Sequence, residues 1–263
     1  MNYNIPLLPE RSIKPRKNGI TMVMDKGLGI NQATDLITTA SNIIDFIKLG
    51  FGTSLITNNI ESKIALYHSS QINTYIGGTL LEAFLIRKKI DEFLKLVDKF
   101  KLNTIEVSDG CININHDIKC EIINKLSKNY IVLSEVGSKD ANVHLSTQEW
   151  ISKMTTEIEA GASYIITESR ESGTVGIYDK SGQTETNLIN AILSSIAPEK
   201  IIWEAPLKSQ QIWFIKKLGA NVNLGNIPPA EIIPLETLRL GLRGDTFFDF
   251  LPEETKYNPI VNI

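Results

Sequence analysis

The sequence lacks most of the features that would assign it at a glance. Its two cysteines, Cys111 and Cys120, lie nine residues apart with no Cys-x-x-Cys spacing, which excludes a disulfide framework and a cysteine zinc site. The three histidines, His68, His116 and His144, are scattered and form no metal cluster. No apolar run approaches the ~18 residues of a membrane span, and no basic-then-apolar leader opens the chain. No Gly-x-Gly-x-x-Gly follows the first apolar run, which argues against a doubly wound dinucleotide fold. Ser134, Ser169 and Ser172 have no Gly-x-Ser-x-Gly elbow, so a serine triad is not expected. Excess charge of one sign is missing too. With 27 basic and 30 acidic residues the net charge is −3, so no global attraction to nucleic acid or membranes is expected. A cytoplasmic, enzyme-like protein is the expectation these absences leave.

What is present is a regular alternation. The 263 residues, 42% of them hydrophobic, suffice for one α/β barrel or two smaller domains. The stretch from Lys200 to Ile227 shows the unit most clearly. A short apolar run, Ile201 to Trp203, ends on Glu204 before Pro206, with Ala205 between them. An amphipathic segment follows, and then a second run, Asn221 to Leu224, ends in Gly225-Asn226. This reads as a parallel βαβ unit with polar groups at both strand ends.

The same reading predicts earlier strands at Ile20–Met24, Ile43–Leu49, Gln71–Tyr75, Thr104–Val107, Tyr130–Leu133 and Ser163–Ile166. Helical patterns fall between them, the longest at Leu80–Phe100 with a break expected near Lys89. Ser146 and Glu149 have the spacing of a capping box that opens a helix at Thr147. Eight alternations at roughly 25 to 30 residues each predict a single-domain α/β fold, a (β/α)8 TIM barrel. It is expected over residues 20–250, with a lead-in at 1–19 and a tail at 251–263. Within the lead-in, Arg11, Lys14, Arg16 and Lys17 read as a solvated basic arm.

In such barrels the carboxyl ends of the strands form the active face. The polar residues expected there are Asp25, Lys26, Lys48, Glu106, Asp109, Glu135, Lys139, Glu168, Arg170, Glu204, Asn223 and Asn226. Carboxylates from neighbouring strands suit a hard divalent cation such as Mg2+, and Glu168 and Glu204 are the first choice as its ligands. Bases among them imply an anionic ligand. Gly225-Asn226 and Gly77-Gly78-Thr79 each have the form of a phosphate-binding turn or of a plain tight turn. Lys48 and Lys139 are candidates for acid–base work, since a lysine desolvated among cations exchanges its proton nearer neutrality.

Several segments resemble one family, phosphosulfolactate synthase. They include Thr21-Met-Val-Met-Asp-Lys-Gly-Leu-Gly, Lys48-Leu-Gly-Phe-Gly-Thr-Ser, Ile105-Glu-Val-Ser-Asp-Gly, Leu133-Ser-Glu-Val-Gly-x-Lys, Glu168-Ser-Arg-Glu-Ser-Gly, Ile202-Trp-Glu-Ala-Pro and Asn221-Val-Asn-Leu-Gly-Asn-Ile. They fall in order over about residues 13 to 248. The resemblance implies a (β/α)8 barrel that adds sulfite to phosphoenolpyruvate with Mg2+, giving (2R)-phospho-3-sulfolactate for coenzyme M or sulfolactate synthesis. It implies Lys139 as proton donor, Glu168 and Glu204 at Mg2+, and Lys26, Lys48 and Arg170 on the anionic groups, with Asn223, Gly225 and Asn226 at phosphate. The loop departs from the family in carrying Ser138 where a second basic residue is expected beside Lys139. Two other readings belong to the same fold. One is a non-catalytic relative like the plant heat-stress-associated proteins, and the other is a different Mg2+-dependent lyase or aldolase on a phosphorylated carboxylate. The Leu80–Phe100 segment offers a surface on which copies could pack as a homo-oligomer.

Overall fold

A computed structural model describes residues 5–138, 145–170 and 172–257. The first half of the chain runs β1 (Thr21–Asp25), α1 (Ile30–Ala40), β2 (Phe46–Leu49), α2 (Ile60–Ser69), β3 (Asn73–Ile76), α3 (Gly78–Leu85), α4 (Ile90–Lys99) and β4 (Thr104–Val107). It continues with α5 (His116–Leu126), β5 (Ile131–Val136), α6 (Thr147–Glu159), β6 (Tyr164–Thr167), α7 (Thr186–Ser195), β7 (Ile201–Glu204), α8 (Lys208–Leu218), β8 (Leu224–Ile227) and α9 (Ile232–Arg239).

The strands form one parallel sheet in the order β3-β2-β1-β8-β7-β6-β5-β4, wound into a nearly closed (β/α)8 barrel. Ladders join every neighbouring pair in that order. Between β3 and β4 no ladder exists among the described residues. Side chains close that seam instead. At its foot the Asn103 amide donates to Asn73 at 2.9 Å, and at its top the Gly78 N–H donates to Glu106 at 2.6 Å.

The strands are apolar on both faces because both are covered, the condition of a parallel sheet wrapped in helices. Met22, Phe46, Tyr75, Leu133, Ile166 and Ile202 fill the barrel interior. Val23, Ile47, Leu49, Ile165 and Trp203 face outward against the helices. There Trp203 stacks on Phe214 of α8 with ring centroids 5.0 Å apart. The Ser146 capping box forms as the spacing predicts: Ser146 N–H donates to Glu149 at 2.7 Å and Glu149 N–H returns to Ser146 Oγ at 3.3 Å.

The break expected near Lys89 is present: the Leu80–Phe100 pattern is two helices, parted by a turn over 86–89 in which Lys88 takes φ 56°. Two expectations change. The last strand is Leu224–Ile227, three residues later than the sequence suggested, because Asn221 and Asn223 bond the barrel floor instead of continuing the ladder. The basic lead-in is not a solvated arm. Arg11 pairs with Glu236 at 2.9 Å, Arg16 pairs with Asp45 at 3.1 Å, and Lys14 donates to the Ser41 carbonyl at 2.9 Å. The floor of the barrel presents main-chain carbonyls that need donors, and the lead-in supplies them. Arg239, fully buried, does the same from α9, donating to the carbonyls of Ala220, Val222 and Ile20.

Candidate active site

A cavity of about 440 Å³ opens at the carboxyl ends of the strands. Lys48, Glu135, Glu168, Arg170, Glu204 and Asn226 line it, together with the less polar Met24, Phe51 and Cys111. All eight strands, or the loops that leave them, contribute lining residues, which is why the charged residues, far apart in sequence, meet here.

Lys48, at the third position of β2, reaches across the mouth to glutamates on three other strands. Its Nζ lies 2.9 Å from Glu106 on β4, 3.2 Å from Glu135 on β5 and 3.8 Å from Glu204 on β7. The residue is only 7% exposed. Burial by itself would lower its pKa, but Glu106, Glu135 and Glu204 together outweigh burial and hold the ammonium well above the ordinary lysine value. The expected acid–base lysine among cations is therefore a locked cation among carboxylates. It also lines the cavity, with one N–H donated to Glu135 at 3.2 Å.

Glu106 is fixed twice, by Lys48 and by the Gly78 N–H. That second bond takes one of the N–H groups that the Gly77-Gly78-Thr79 turn offered to a phosphate, while Gly77 and Thr79 line the cavity. A Cβ on Gly78 would run into Ser108 and into Glu106, so the close approach of α3 to β4 needs glycine. Burial raises the pKa of the Glu106 carboxyl, against the pull of Lys48.

Glu168 and Glu204, on adjacent strand ends, both line the cavity and are each 1% exposed. Glu168 Oε1 accepts the Arg170 N–H at 2.6 Å, turning the loop so that Arg170 stands at the rim. Glu204 Oε2 accepts from the Ser169 N–H at 3.0 Å and its hydroxyl at 3.2 Å. Glu204 Oε1 has no hydrogen-bond donor among the described residues. Burial drives this carboxyl up to about 8, with Glu135 and Glu106 adding to the rise and Lys48 opposing it. Asn226 enters the cavity through a bulge in β8. Thr21 pairs with Leu224 but Val23 with Ile227, and the extra residue bends the strand, with Asn226 at φ 56°. Its Oδ1 is buried with no partner among the described residues.

Other expected residues are placed elsewhere. Asp25 is fully buried and saturated. One oxygen accepts from the N–H groups of Gly27 and Leu28, and the other meets Lys63 at 2.8 Å and the Tyr67 hydroxyl at 2.9 Å. Lys26 is exposed and does not line the cavity. Asp109 pairs with Lys119 at 2.9 Å, on the helix side of β4. Asn223 sits at the opposite end of the barrel, accepting from Ile20 N–H at 3.0 Å and donating to the Ile201 carbonyl at 3.1 Å. Gly225 lies inside β8 with Met22 and Ile202 packed where a side chain would be, so it faces the barrel core rather than a phosphate. Lys139 lies outside the described residues.

Sequence reasoning missed the less polar lining. Phe51, between Gly50 and Gly52 at φ 55°, is 57% exposed at the rim. An aromatic between two glycines at a strand end was the available signal. It also missed the buried charges that brace the loops. Glu82 of α3 accepts from Ser108 and from the N–H groups of Cys111 and Ile112, and Lys119 of α5 donates to the Glu135 carbonyl at 2.7 Å. Both sit in helical segments in which the sequence offers no candidate site residue. Tyr75 is fully buried near the lysine–glutamate cluster, its hydroxyl without a partner among the described residues, and burial raises its pKa.

Among the described residues no three acidic, histidine or cysteine side chains already surround one point as metal ligands. No helix among them is long and apolar enough to cross a membrane.

The barrel itself is similar to 3-hexulose-6-phosphate synthase from Salmonella typhimurium, with a TM-score of 0.56 at 11% identity over 85% of this chain and 100% of that one. That likeness concerns the fold alone. Sequence relatives go further. The chain is 43% identical to phosphosulfolactate synthase of Methanothermobacter thermautotrophicus, over 91% of this chain and 95% of that one. It is 44% identical to phosphosulfolactate synthase of Bacillus subtilis, over 92% and 97%. Residues 9–245 match the family model described as (2R)-phospho-3-sulfolactate synthase (ComA). The chain belongs to that family.

Proposed function

We propose that the chain adds sulfite to phosphoenolpyruvate, giving (2R)-phospho-3-sulfolactate in a Mg2+-dependent lyase-class reaction. The observation that carries this is the cavity wall itself: buried carboxylates of Glu168 and Glu204 beside the rim guanidinium of Arg170, in a chain of this family. An anionic substrate in a mouth with four glutamates requires positive charge. The lysine present, Lys48, is already committed to carboxylates.

The donor set fits Mg2+, which takes oxygen ligands, keeps several waters and is often held by one or two carboxylates plus the substrate. Glu168 and Glu204 would hold it, with the buried Glu204 Oε1 as a ready acceptor of positive charge. When bound, the ion supplies the charge that stabilises an ene-diolate on the substrate carboxylate.

The protein's own part is positioning and proton delivery. Arg170 binds the anionic groups at the rim, and the Asn226 carboxamide offers a hydrogen bond within the cavity. Met24 and Phe51 keep water from the methylene carbon, where the carbon–sulfur bond forms. The electron pair released toward the carboxylate is then quenched by a proton to the phosphate-bearing carbon, and Lys139 is assigned as its donor. Phosphoenolpyruvate is an ionised metabolite retained inside cells, which supports a cytoplasmic location for the protein.

The test is turnover of phosphoenolpyruvate with sulfite and Mg2+, followed by loss of the enol absorbance, with and without EDTA. Product that forms with Mg2+ and stops with EDTA is expected. No product from either mixture, with the protein folded, would sink the proposal. A Lys139→Ala variant with undiminished turnover would remove Lys139 from the proton step.

A further inference from the structure

The Lys48 ammonium has the surroundings of a bound ion. Three carboxylate oxygens, from β4, β5 and β7, converge on it at 2.9, 3.2 and 3.8 Å. Lys48 comes from β2, so its side chain spans the mouth to put one positive charge among groups that would otherwise repel. The arrangement is held from behind, Glu106 by Gly78 and Glu204 by Ser169. One ammonium thus stands among three buried carboxyl groups, fewer positive charges than these groups would need if all were ionised. Two buried acceptors facing the same cavity, Glu204 Oε1 and Asn226 Oδ1, have no donor among the described residues. A hard, oxygen-only donor set of this charge is what a divalent cation selects.

We infer that Lys48 is a positioning residue that occupies a cation site: its ammonium holds Glu106, Glu135 and Glu204 in place of a second metal ion. Removing the ammonium therefore opens one additional divalent site per chain. The inference deepens the proposed function and rests on its reading of the mouth as a divalent-cation site. It gives Lys48 a role distinct from gripping substrate. A permanent internal cation fixes the carboxylates before any metal arrives, and it restricts the mouth to a single exchangeable ion.

The test uses Mn2+ alone as probe. Free Mn2+ is titrated by electron paramagnetic resonance against wild-type chain, Lys48→Met and Lys48→Arg in Mg2+-free buffer. Methionine keeps much of the side-chain volume but offers only a soft sulfur, a poor ligand for Mn2+. The expected counts are one ion per wild-type chain, two for Lys48→Met and one for Lys48→Arg. The increment from wild type to Lys48→Met tests the inference, while the wild-type count tests the metal reading. A wild type binding none beside a Lys48→Met binding one would uphold the former and reject the latter. Equal counts in wild type and Lys48→Met overturn the inference, as does a gain in Lys48→Arg. Circular dichroism with and without Mn2+ covers the case in which Lys48→Met unfolds. Refolding on addition of Mn2+ supports the inference, and a chain that stays unfolded at saturating Mn2+ overturns it.

Discussion

The Lys48 ammonium and the Glu106 carboxylate lie 2.9 Å apart across the seam where β3 and β4 run side by side without a ladder. Glu106 also accepts from Gly78 at the head of α3, so one carboxylate ties β2, α3 and β4 together. The pair belongs to the site and to the wall of the barrel at once.

Glu106→Gln should therefore loosen the seam. Removing one member of a buried pair is costly, roughly 3 kcal/mol where no other partner compensates. Here Glu135 and Glu204 still hold the lysine, so a loss of about 1–2 kcal/mol in urea unfolding is expected. Hydrogen exchange should quicken in β3 and β4 and stay unchanged in β6 and β7. Uniform quickening over all eight strands would contradict the bridging role.

Glu204 makes stability depend on pH. Its carboxyl is raised to about 8 by burial and by its neighbouring glutamates. The folded state thus keeps a proton that the unfolded state has lost, over the range from the ordinary glutamate value to about 8. There the native state binds more protons, so stability falls as pH rises and levels off above about 8. In EDTA, Glu204→Gln should melt higher than wild type at pH 8.5, by roughly 1–4 kcal/mol of stability. The advantage should shrink toward pH 5. Parallel melting curves for the two proteins across that range would refute the assignment.

Asp25, a site candidate from the sequence, braces the first loop. Lys63→Met should leave its carboxylate buried with one fewer counter-charge, at a cost of about 3 kcal/mol. Adding Asp25→Asn should recover part of that loss, because the stranded charge is gone. A double variant no more stable than Lys63→Met would mean that the pair is not coupled.

Arg170 is exposed at the rim, so its truncation tests binding with little effect on folding. Arg170→Ala should keep the wild-type melting temperature within a degree or so, since exposed sites cost little. It should lower kcat/KM for phosphoenolpyruvate about 10- to 100-fold, a loss of about 1.4–2.8 kcal/mol of transition-state stabilisation. Lysine at this position should restore charge but not bidentate geometry. Unchanged kinetics in Arg170→Ala would remove it from the substrate site.

The barrel was legible because its signal is repetitive. Each apolar run ends near a polar group, and such a pattern survives errors of a few residues at any one boundary. The site was legible where a charge directly ends a strand, as Glu168 and Glu204 do. It was misread where position along the strand decided the outcome. A shift of three residues in β8 carried Asn223 to the barrel floor and Gly225 into the core, and left Asn226 in the cavity. Lys48 shows a different limit. Its place on β2 was readable, but the company it keeps comes from β4, β5 and β7, and no local spacing encodes that meeting. Glu82 and Lys119 were hidden because a helix face turned toward a loop has the same periodicity as one turned toward water.

The β1–β8 ladder joins the first strand to the last, while the middle of the chain meets itself without one. β1 to β3 and β4 to β8 are accordingly two runs of laddered strands, united where β8 pairs with β1. A nick in the Lys88 turn would sever no ladder. Two polypeptides divided there would each carry their own strand pairings, and would rebuild the barrel through the β1–β8 ladder and the side-chain seam between β3 and β4. The natural place to split this protein into complementing fragments is thus its geometric seam, far from either terminus.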